Sequence, residues 1–121
     1  MTIKECYEAF GGNYAETVSR MGSEGLVKKF ALKFLADTSF NTLCEAMGKA
    51  DCQEVFRAAH TMKGICLSLG FDNLGKLATR LADALRPCLP ECLQAAETAA
   101  LLEQVKQEYG RTKALLEQVD A

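Results

Sequence analysis

Apolar residues recur along this chain at spacings of three and four, and strand-like alternation is nowhere sustained. Punctuation cuts the pattern into helical blocks. Residues 3 to 10, IKECYEAF, form a short block closed by Gly11 and Gly12. Asn13 can cap a second short block, YAETVSRM, which stops at Gly22. Ser23 opens a longer block running to Met47. There Val27, Phe30, Ala31 and Phe34 mark one stripe, and Phe40, Leu43, Cys44 and Met47 mark another. The two stripes are slightly out of phase across Asp37, Thr38 and Ser39. The pattern predicts one long helix bent at that point, the alternative being two helices with Ser39 as a cap.

Asp51 and Glu54 stand in the order of a capping box, so the next helix starts at Asp51 and runs to a natural stop at Gly70. Asp72 is the expected cap of a helix with Leu74, Leu77, Ala78, Leu81 and Leu85 on one face. Pro87 and Pro90 bracket a short connection, and Pro90 suits the first turn of the final helix. Leu102, Val105, Tyr109, Thr112, Leu116 and Val119 line that helix, which is expected to end near Val119. Four substantial helices with short connections predict an all-α, antiparallel up-down-up-down four-helix bundle with two short N-terminal helices. The expected organisation is one domain over 1–121, with the short helices in 1–22 and the bundle in 23–119.

Composition supports this picture: Ala, Leu, Glu and Lys are abundant and there are only two prolines. A net charge of −2 with no basic stripe argues against a nucleic-acid partner. No apolar run is long enough for a signal peptide or a membrane span, so a cytoplasmic protein with no membrane partner is expected. The six cysteines, Cys6, Cys44, Cys52, Cys66, Cys88 and Cys92, include no C-x-x-C pair. With a single histidine far from Cys88 and Cys92, they read as buried or incidental thiols, and no metal site is expected.

That histidine, His60, lies in the stretch AAHTMKGICLSLG. At 100° per residue, Val55, Ala58, Met62, Ile65, Cys66 and Leu69 form an apolar stripe nearly opposite it. Gln53, Phe56, Arg57, Lys63, Gly64 and Leu67 share its side. An imidazole, two cations and two large apolar groups together suggest a docking surface rather than a plain solvated face. The N-terminal helices covering Phe56 and Leu67 is the competing explanation. Gly64 weakens the helix by about 1 kcal/mol relative to alanine, yet it leaves room beside the imidazole. Lys63 adds a mobile positive charge with three donors. A group carried on such an imidazole and welcomed by such a cation is anionic, and phosphate is the obvious candidate.

The stretch AAHTMKGICLSLGFDNLGKLATRLADAL resembles the histidine-containing phosphotransfer (HPt) domains of bacterial phosphorelays. Their H-x-x-K-G core, with a further glycine ten residues after the histidine, corresponds to His60, Lys63, Gly64 and Gly70. The preceding LVKKFALKFLADTSFNTLCEAMGKAD is similar to the family's preceding helix, including an A-x-D turn. Met62 replaces a commoner leucine, and Asp83 stands where many relatives carry glutamate. The resemblance implies that His60 is a phosphoacceptor, on Nε2, with Lys63 offsetting phosphoryl charge and Gly64 clearing space. Gly70 is then structural. It implies as partners a response-regulator receiver domain and a sensor or hybrid histidine kinase. Gln53, Phe56, Arg57 and Leu67 would contribute to docking. The Mg²⁺ is expected on the partner receiver, and this chain needs no cofactor of its own. No Gly-rich phosphate loop is present, so the chain resembles a stand-alone phosphotransfer intermediate rather than a kinase. A non-catalytic helical module that binds a receiver or kinase without phosphotransfer is the alternative.

Overall fold

A computed structural model describes residues 1–120, and all their regular structure is helical. The helices are α1 (Ile3–Ala9), α2 (Tyr14–Met21), α3 (Glu24–Lys33), α4 (Ser39–Gly48), α5 (Cys52–Leu69), α6 (Asp72–Leu85), α7 (Pro90–Gln94) and α8 (Ala96–Leu116). A 3₁₀ turn, Phe34–Ala36, follows α3. Side-chain caps start half of them. Thr2 and Glu5 form a complete capping box on α1, while Asn13 and Ser23 cap α2 and α3 through their side-chain oxygens. Asp51 caps α5 by accepting from the Glu54 N–H at 3.2 Å. The Glu54 carboxylate turns instead to Arg57, so only half of the expected box forms.

Several boundaries differ from the sequence pattern. The block from Ser23 to Met47 is two helices, not one bent helix. Asp37 takes an extended conformation between them. Its carboxylate accepts from the Ser39 N–H at 3.0 Å and the Ser39 hydroxyl at 2.6 Å. Distant α8 holds the break: the Tyr109 hydroxyl lies 2.7 Å from the Asp37 carboxylate, and Lys113 Nζ donates to the Asp37 carbonyl at 2.7 Å. Thr38, not Ser39, is the N-cap. Likewise Phe71 rather than Asp72 occupies the N-cap of α6, and Asp72 is its first residue. The expected final helix is interrupted at Ala95, where Thr98 Oγ1 donates to the Cys92 carbonyl at 2.6 Å. It closes at Leu116, three residues short of expectation.

α5 packs chiefly on α6 and α4, α6 packs on α8, and α1 lies against α8 and α2. Much of the core is aromatic. Tyr7, Phe10, Phe71, Phe34 and Tyr109 follow one another with ring centroids 4.9–5.4 Å apart at tilted or edge angles, which suit ring quadrupoles. α1 thus shares a single buried core with α5, α6 and α8.

Candidate functional site

The C-terminal end of α5 explains how the site is held. The last carbonyls of a helix lack intrahelical donors and need partners from elsewhere. Here the N-terminal segment supplies them. Arg20 donates to the Ser68 carbonyl at 2.8 Å, the Tyr7 hydroxyl to the Leu69 carbonyl at 2.6 Å, and the Asn13 N–H to the Gly70 carbonyl at 3.0 Å. Gly70 itself is left-handed, with φ +72°. An added Cβ there would collide with Thr17 Oγ1. Burial holds the Tyr7 hydroxyl far above its ordinary pKa, so it remains a donor.

With its end fixed, α5 buries Val55, Ala58, Ala59, Met62, Cys66 and Leu69. His60 emerges on the opposite side, exposed, as the phasing predicts. Ile65 is only half-buried, and Ala59 joins the core in its place. Gly64 is exposed, and a Cβ placed on it would meet nothing within 4 Å. No neighbour in the chain therefore requires this glycine. Lys63 is half-exposed and forms no ion pair among the described residues.

The sequence-predicted docking residues do not all come together. Gln53, Phe56, Arg57 and His60 line one shallow groove with Thr61 and Cys88. Arg57 is ion-paired with Glu54. The N-terminal helices do not cover Phe56. It is half-buried beneath the Arg86 guanidinium, which lies 5.6 Å from its ring centroid. Arg86 in turn pairs with Asp83 at 3.0 Å, which gives that aspartate a local role. Leu67, 50% exposed, leans towards Gly75 of α6 and lies outside the groove.

A second, larger groove of about 800 Å³, which the sequence pattern does not reveal, runs along the other flank of α5. Thr61, Gly64, Ile65 and Ser68 form one wall, while Arg20, Met21, Phe30 and Lys33 of α2 and α3 form the other. Phe30 belongs to the α3 stripe in sequence, yet it is 39% exposed, with Lys29 and Lys33 ammonium groups 5.9 and 5.1 Å from its ring centroid. Its flanking lysines were the only available signal. Thr61, common to both grooves, falls between the apolar stripe and the histidine side, so the helical projection does not single it out.

The six cysteines are dispersed: Cys6 and Cys66 are buried, Cys44 is exposed, and Cys52, Cys88 and Cys92 are intermediate. No helix is long and apolar enough to cross a membrane among the described residues.

A family model described as Hpt domain matches residues 34–121, most of the chain. Comparisons with curated proteins and with solved structures give no match. α1, α2 and α3 precede the matched region, although α1 and α2 cap the end of α5 and α2 and α3 build one wall of its larger groove.

Proposed function

The chain belongs to the Hpt domain family of two-component phosphorelays, and from that premise we propose that His60 is the phosphoacceptor of such a relay. The observation that carries this reading is the exposed imidazole with open space one turn further on, at Gly64. A lone-pair nitrogen of neutral His60 attacks the phosphorus of a receiver's aspartyl phosphate. The new N–P bond forms as the acyl P–O bond breaks, and the aspartate leaves as a carboxylate. The reverse step returns the phosphoryl group to an aspartate. Such in-line transfer depends on positioning and charge stabilisation. Lys63 supplies charge from this chain, and the Mg²⁺ sits in the receiver's acidic pocket.

The receiver covers Gly64 and seats on the grooves flanking it. The cations Arg20, Lys33 and Arg57 suit an acidic rim and would speed encounter more than they tighten binding. The same reading makes residues 1–121 one domain, α4, α5, α6 and α8 an antiparallel four-helix bundle, and the cytoplasm its place of work. A sensor or hybrid kinase feeds the relay.

The test is incubation with a phosphorylated receiver. The expected product is an acid-labile, base-stable phosphate on His60, absent from His60→Gln. Equal phosphate uptake by His60→Gln refutes the assignment. Receiver binding that survives that substitution, with no phosphohistidine in the wild type, establishes the non-catalytic module instead.

A further inference from the structure

Phe56 precedes His60 by one helical turn, and the two rings stand 5.8 Å apart at an interplanar angle of 60°. Side chains on a helix lean towards its N-terminus, so residue i rests over residue i−4. The imidazole therefore leans onto the phenyl ring. Phe56 is itself restrained, because it packs against the core rim and carries the Arg86 guanidinium 5.6 Å from its centroid. An exposed histidine would otherwise exchange between the rotamers a helix permits. Here the imidazole stands beside a ring that is itself packed against the core.

We propose that Phe56 is a positioning residue for His60: its ring, held by Arg86 from α6, keeps the imidazole in one orientation on the exposed side of α5. This rests on the reading of His60 as phosphoacceptor, and it assigns Phe56 a role distinct from lending apolar area to a partner. The chemistry follows from in-line geometry. The attacking lone pair must point along the P–O bond that breaks, and a misdirected ring loses rate even when the partner is fully bound. Arg86 acts through Phe56. Its charge is offset by Asp83 at 3.0 Å, an exposed pair that adds little stability of its own.

His60 is the only histidine, so its ring C–H signals can be followed by NMR without ambiguity. Phe56→Leu keeps the apolar bulk and removes the ring, Phe56→Tyr restores a ring, and Arg86→Gln loosens its restraint. Single-turnover transfer from a phosphorylated receiver is measured against receiver concentration for the 121-residue chain. Phe56→Leu is expected to lower the saturating rate about tenfold while leaving the half-saturating concentration within about twofold. Its His60 ring signals should move towards those of an unstructured peptide. Phe56→Tyr should recover both readouts, and Arg86→Gln should lower the saturating rate about threefold. An unchanged saturating rate with a raised half-saturating concentration makes Phe56 a docking contact and overturns the proposal. Unmoved His60 signals in Phe56→Leu, or no recovery in Phe56→Tyr, overturn it as well. If wild-type His60 accepts no phosphate, the phosphoacceptor reading fails by itself, and the NMR comparison still decides whether Phe56 orients the ring. Should Phe56→Leu not fold, the tyrosine and Arg86→Gln variants carry both readouts.

Discussion

Gly64 and Gly70 lie six residues apart along the same helix, and their surroundings are opposite. At Gly70 the backbone is left-handed, and any side chain would strike Thr17. At Gly64 the backbone is ordinary helix and a side chain would meet only open space. The first glycine is required by the fold. The second lowers helix propensity, and no neighbouring atom requires it. The end of α5 is tightly packed, and the middle of α5 is open at Gly64.

Substitutions can break this contrast, and the largest effect belongs to the end of the helix. Gly70→Ala combines left-handed strain with a collision, and it should destabilise the protein by about 3 kcal/mol in urea unfolding. Phosphate uptake per folded molecule should be unchanged. Tyr7→Phe strips the buried Leu69 carbonyl of its donor and should cost about 1–2 kcal/mol by the same measurement.

Gly64→Ala reverses the sign. It should stabilise the protein by about 0.5–1 kcal/mol, since alanine is the better helix former and nothing obstructs it. Transfer from a receiver should nevertheless slow, and a large residue at position 64 should block it while the fold persists. Wild-type transfer in that bulky variant would refute the space-clearing role. Lys63→Ala should change stability by less than about 0.5 kcal/mol, as expected for a half-exposed, unpaired residue. Its effect should appear in slower transfer or a shorter-lived phosphohistidine.

Alkaline titration tests the buried half on its own. Burial raises the Tyr7 hydroxyl and, together with its hydrogen bond to Asp37, the Tyr109 hydroxyl. Burial also pushes the Cys66 thiol up to about 12. Each group is held neutral by the folded state more strongly than by the unfolded chain, whose ordinary values are 9.0 for cysteine and 10.0 for tyrosine. Their contribution is therefore complete below about pH 9 and is lost as pH rises through the folded values. Unfolding monitored by circular dichroism should show a plateau to about pH 9 and a decline beyond it.

The helical class, the span of α5 and the outward direction of His60 were legible because each rests on local periodicity and caps. The break at Asp37 was not, because its partners Tyr109 and Lys113 lie more than seventy residues away. The phase slip between the two stripes marked the place without revealing the cause. The interruption at Ala95 carries no glycine or proline to announce it. The site was half legible. Phasing located His60, Lys63 and Gly64 correctly relative to the core, but a single-helix projection cannot show that α2 and α3 rise beside them. Phe56 illustrates the same limit: its side of the helix was evident, whereas the guanidinium above it comes from α6.

The ring sequence in the core also bears on how this chain is made. Its members leave the ribosome at positions 7, 10, 34, 71 and 109. α4, α5 and α6 can associate early through contacts close in sequence, whereas α1 must wait for α8 before its docking site is complete. The Arg111 guanidinium reaches the Ala9 carbonyl and the Cys6 thiol reaches the Leu115 carbonyl only once α8 has been made. Until then Tyr7 and Phe10 lack part of their cover. Nascent chains halted before α8 should accordingly be the species most dependent on chaperones and most prone to aggregate.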